Sequence, residues 1–89
     1  METKTENFKI NVGCGRIASI DITKVKENHY IKIGFSNDQK GMSPVDISKH
    51  PDLIINALSG IKIKYPDYEP KCLLYQAPDW VMYHFKRIL

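Results

Sequence analysis

From Phe8 to Phe35 the apolar side chains fall on every second residue, interrupted only at two short stretches rich in glycine or polar residues. A helix would scatter such residues around its circumference, whereas a strand places them all on one face. The segment therefore reads as three strands, each with one side toward a core. The first turns Phe8, Ile10 and Val12 inward and Lys9 and Asn11 outward. Gly13-Cys14-Gly15 supplies the backbone freedom for a reversal. The second buries Ala18, Ile20 and Ile22 and exposes Ser19, Asp21 and Thr23, and a polar turn follows at Lys26-Glu27-Asn28. The third buries Ile31, Ile33 and Phe35 and leaves Tyr30 and Lys32 outside.

The periodicity then changes. Ser36 to Gly41 has the composition of an exposed loop. Ser43-Pro44-Val45-Asp46 resembles a helix start, but Pro51 would break a helix running through it. The expectation is a short turn followed by a helix from Pro51 to Leu58, with Leu53, Ile54, Ala57 and Leu58 on its buried stripe and Ser59-Gly60 ending it. Ile61 to Tyr65 alternates again and reads as a strand, with Lys62 and Lys64 outward; Cys72 to Tyr75 reads as a short buried strand. Pro78-Asp79 and Lys86-Arg87 suit the two ends of a helix, while the β-forming side chains between them also allow a hairpin with Cys72–Tyr75. The helix is the preferred reading. The fold class is thus α+β: an antiparallel sheet of about four to five strands, with one central helix and a C-terminal helix packed on one face.

A chain of 89 residues can bury one core and not two. Residues 1–7 are polar, carry both charge signs and read as a frayed tail, leaving 8–89 as a single domain. That start lacks a signal peptide's basic and apolar regions, and no apolar run reaches the roughly 18 residues that span a bilayer, so a cytoplasmic location without a membrane partner is expected. Cys14 and Cys72 are far apart and read as reduced thiols.

The motifs argue against catalysis. Lys9 to Ala18 superficially resembles a dinucleotide-binding glycine turn, but such a turn must open a helix, and β-branched alternation follows here. Cys14 lies beside Arg16, which favours a thiolate, yet nothing in the spacing brings His29, His50 or His84 to it as a base. The histidines and acids are dispersed, without metal-ligand spacing. No catalytic residue, cofactor or metal is expected, and the chain reads as a binding module.

Two surfaces could do the binding. On the strand reading, Lys9, Asn11, Ser19, Thr23, Tyr30, Lys32, Lys62 and Lys64 share the sheet face away from the core, with Asp21 among them. Lysines that contact phosphates beside a ring that stacks a base suit RNA or single-stranded DNA, and Lys9, Tyr30, Lys32, Lys62 and Lys64 are the residues expected to carry it. The net charge of +3 is compatible with such a ligand. The second surface is aromatic. Tyr68, Trp80, Tyr83 and Arg87 would dock on a larger protein, as an inhibitor does, or form a homodimer.

Overall fold

The computed structural model describes residues 4–13, 15–37 and 43–88. Three antiparallel strands, β1 (Lys4–Gly13), β2 (Arg16–Val25) and β3 (Asn28–Asn37), are followed by a helix, α1 (Asp52–Lys64), and two further strands, β4 (Tyr68–Gln76) and β5 (Trp80–Arg87). The five strands form one sheet in the order β1-β2-β3-β5-β4. The meander follows from the alternation: β2 buries the expected Ala18, Ile20 and Ile22, β3 the expected Ile31, Ile33 and Phe35, and of the expected set on β1 Val12 is buried. Phe8 and Ile10 pack against this core from the edge. Lys4 to Asn7, expected in a frayed tail, instead extend β1 and pair with Lys24 to Asp21. The turn residue Cys14 lies outside the described residues, as do 38–42.

The helix is longer than expected. Leu53, Ala57 and Ile61 are buried at four-residue intervals, and this stripe carries the helix through Ser59-Gly60 to Lys64. Ile61 to Tyr65 is therefore no strand: Ile61 is buried, Ile63 is 84% exposed, and Tyr65 N–H caps the helix on Ile61 O at 2.8 Å. Gly60 works as a packing residue here. A Cβ on it would come within 2.8 Å of Ile10 Cδ1, so its bare backbone lets α1 approach β1. Asn56 adds a hydrogen bond to Val12 O at 3.1 Å. Before the helix, Val45 and Ile47 turn into the core and Asp46 accepts hydrogen bonds from the Ser48 N–H and hydroxyl, which shapes the turn.

The expected C-terminal helix is absent; β5 occupies its place. Val81, Tyr83 and Phe85 face the core at a spacing of two, with Val81 and Phe85 fully buried, and burial at that period overrides the helix-like flanks. Pro78 and Asp79 sit in the approach to β5, where Pro78 O accepts from Ile47 N–H and Asp79 O from Phe35 N–H. β4 is a second correction. It is an edge strand exposed from Glu69 to Gln76, not a buried one, and Pro70, which lacks an N–H, suits an edge.

Candidate functional site

Only one face of the sheet carries the helix. On the other, the register lines side chains up in rows across the strands. Lys9, Ser19, Gly34 and Trp80 form one row; Asn7, Asp21, Lys32, Met82 and Tyr75 the next; Thr5, Thr23, Tyr30, His84 and Cys72 the third. The C-terminal strand thus brings Trp80 and His84 onto the face that β3 supplies with Tyr30 and Lys32.

The rings there form two pairs. Tyr30 stacks on His84 with centroids 5.2 Å apart, and His84 Nε2 is held by Asn28 Oδ1 at 2.9 Å. Tyr75 stacks on Trp80 at 4.9 Å. Between the pairs, Lys32 Nζ lies 4.7 Å from the Trp80 ring centroid. Four residue steps along β3, from Tyr30 to Gly34, separate the row of Tyr30 from that of Trp80, about 13 Å. Beside Trp80, Gly34 leaves open space above the backbone, in a shallow hollow of about 300 Å³ lined also by Ser19, Ser36, Pro44 and Asp79. Asp21, opposite Lys32, accepts a hydrogen bond from Asn7 at 3.1 Å.

The expected basic patch is only partly assembled. Lys9, Tyr30 and Lys32 share the open face, but Lys62 and Lys64 do not, because their segment is helical. Lys62 donates to Pro66 O at 2.9 Å, and Lys64 pairs with Glu6 at 3.4 Å. The aromatic surface is divided as well. Trp80 is on the open face, whereas Tyr83 packs on the core and Tyr68 stacks on His29 at 3.8 Å; Arg87 lies opposite Tyr68 near the end of β5. His84 and Tyr75 were missed in the sequence. The β-forming run Trp80–Phe85 was the available signal for His84, since as a strand it places Trp80, Met82 and His84 together.

A second polar group lies on the helix side, where α1 ends over β1 and β2. Glu6 accepts from the Tyr65 hydroxyl and pairs with Lys24 at 3.2 Å and Lys64 at 3.4 Å. The Tyr65 hydrogen bond, then Lys24, hold the Glu6 carboxyl at about 2, against an ordinary 4.5. Tyr65 is pushed up by burial and by Glu6. His29 is buried between Tyr65 and Tyr68, with Nδ1 unpartnered, and desolvation, then Lys24, lower its pKa against the opposing pull of Glu6. This group ties α1 and β4 to the meander.

Its linkage has one sign in acid. The folded state takes up protons less readily than the unfolded chain at both groups, so their contributions are full at neutral pH. The His29 contribution declines as pH falls below 6.5, and that of Glu6 as pH falls from 4.5 toward 2. Urea unfolding at pH 7.5, 5.5 and 3 should show a monotonic loss. Because Glu6 is a third exposed, its share is about 1 kcal/mol, and Glu6→Gln should flatten the limb below pH 4.5.

Among the described residues no cluster of three or more histidine, cysteine or acidic side chains is placed to hold a metal. Among the described residues no helix is long and apolar enough to cross a membrane. Cys72 is exposed, not core filler, and sits across from His84. No family model, curated protein or solved structure matches the chain.

Proposed function

We propose that this chain is a non-catalytic module that binds single-stranded nucleic acid on the open sheet face. The observation that carries this reading is the pair of stacked-ring stations, Tyr30–His84 and Trp80–Tyr75, with Lys32 between them on one accessible surface. Ring faces accept any base, and lysines neutralise phosphate, so the site is sequence-tolerant. The separation of about 13 Å is several times the roughly 3.4 Å between stacked neighbours, so the strand lies extended, with Lys32 meeting the backbone between two stations. Lys9 and Lys86 stand at opposite margins of the face.

Fluorescence anisotropy with labelled mixed-sequence 12-nucleotide RNA and DNA tests the reading. With two to three phosphates neutralised, log affinity should fall against log salt with a slope of about −1.4 to −2. Lys32→Glu should weaken binding at least tenfold, while Lys62→Glu, on the helix, should leave it within twofold. A flat salt dependence, no binding at low salt, or equal losses in the two variants would reject the open face as the site.

A further inference from the structure

Ring faces stack on any base, so discrimination between bases on the open face has to come from what their polar edges meet. Beside Trp80 there is a place where an edge meets polar groups. The hollow above Gly34, about 300 Å³, is walled by Ser19 of β2, Ser36 of β3, Pro44 and Asp79. That volume is at the small end of ligand sites, room for one ring system. Its floor is bare: a Cβ at Gly34 would meet nothing within 4 Å, so a flat group can come down to the backbone there. Gly34 is also the cross-strand partner of Trp80, which puts the hollow next to the indole.

Asp79 gives the hollow its chemistry. Backbone bonds hold it in the turn between β4 and β5: its own O accepts from Phe35 N–H at 2.9 Å, and Ala77 N–H donates to Trp80 O at 2.8 Å. Neither bond uses its side chain. A half-buried carboxylate repels phosphate on a face whose lysines attract it, so it favours only a ligand group that brings N–H donors.

We infer that the hollow is a guanine subsite beside the Trp80 station, an inference that rests on the open face being a nucleic-acid site. The Watson–Crick edge of guanine carries N1–H and the N2 amino group side by side, and a carboxylate accepts from both, one oxygen to each. O6, next along that edge, is an acceptor and suits the serine hydroxyls of the hollow. No other base offers the same pair of donors. Adenine and cytosine set one amino group beside a bare ring nitrogen, whose lone pair would face the carboxylate, and uracil and thymine set one N–H between two carbonyls. Lys32, exposed and 4.7 Å from the indole centroid, is free to follow the phosphate as the base arrives.

The test is anisotropy at low salt on three labelled RNA 12-mers: all uridine, uridine with one central guanine, and uridine with inosine, which lacks the N2 amino group, at that position. The guanine oligonucleotide should bind about fivefold tighter than all-uridine or better, the lower end of what one bidentate base contact discriminates, with inosine between them. Asp79→Asn, in which an amide replaces one accepting oxygen, should bring guanine and uridine oligonucleotides to within about twofold of each other while uridine binding is held or improves. Asparagine suits a turn as aspartate does, and circular dichroism checks that the fold is kept. Equal binding of the guanine and uridine oligonucleotides by the wild type, or a guanine preference that survives Asp79→Asn, would overturn the inference and leave the open-face site standing. Failure of all three to bind would overturn the open face itself, and the subsite with it.

Discussion

Tyr30→Ala/Trp80→Ala should lose about a hundredfold or more in affinity for single-stranded RNA or DNA while remaining folded. Each stacking ring contributes on the order of 1–3 kcal/mol, and this variant removes one from each station. Tyr30 and Trp80 are half-buried on a sheet face that water reaches, so their truncation leaves the core on the helix side intact. The measurement is anisotropy at one fixed low salt, with circular dichroism as the control for folding. Tyr30→Phe/Trp80→Phe keeps both ring faces and should bind within a few-fold of the wild type. If the alanine variant binds as tightly as the wild type, the rings are structural and the proposed site fails, whatever the salt dependence. The ring loss should reduce affinity at every salt concentration while leaving the slope unchanged, because the slope counts phosphates and not stacked bases.

Ile61→Ala should cost about 2–4 kcal/mol, whereas Ile63→Ala should stay within about 0.5 kcal/mol. The two residues are the same type and two positions apart, and in a strand both would lie on one face and respond alike. On α1 they point to different sides: Ile61 is fully buried beneath the helix, while Ile63 is almost free in solvent. A domain of this length has a stability of order 5–10 kcal/mol, so the first change removes a large part of it and the second almost none. Urea midpoints at constant m-value give the comparison directly. Equal losses would mean that the helix ends before Gly60.

That pair also shows where the sequence could be read and where it misled. The meander was legible because period-two burial repeats across Phe8–Phe35 with nothing competing. Ile61-Lys62-Ile63-Lys64 shows the same local alternation, but it continues the Leu53–Ala57 stripe, and the four-residue spacing of buried side chains prevails over five residues of alternation. Gly60 looked like a stop signal because glycine usually ends helices. Its reason for being there is Ile10, fifty residues away, a packing constraint that no local window contains. The site divides in the same way. Lys9, Tyr30 and Lys32 were placed correctly by strand parity alone. Lys62 and Lys64 were lost with the misread segment, and Tyr75 and His84 were found only once β4 and β5 were known to pair and in what register. Trp80 and Tyr83, taken as one surface, are parted because a strand alternates its side chains where a helix would have gathered them.

The strand order sets the sequence in which the sheet can be completed. β4 is synthesised before β5 but hydrogen-bonds to no strand except β5, so it has nowhere to dock until its successor exists. Meanwhile β3, whose free side β5 will cover, waits as an unprotected margin through the whole synthesis of α1 and β4. Completion therefore waits on β5 docking to β3, Trp80 meeting Gly34 across 46 steps of chain, with β4 held on the far side of β5. The entropy of closing that loop falls on this step, which makes docking of β5 the natural slow event of folding. It also makes the nascent chain, with β3 still bare, the species most in need of a chaperone.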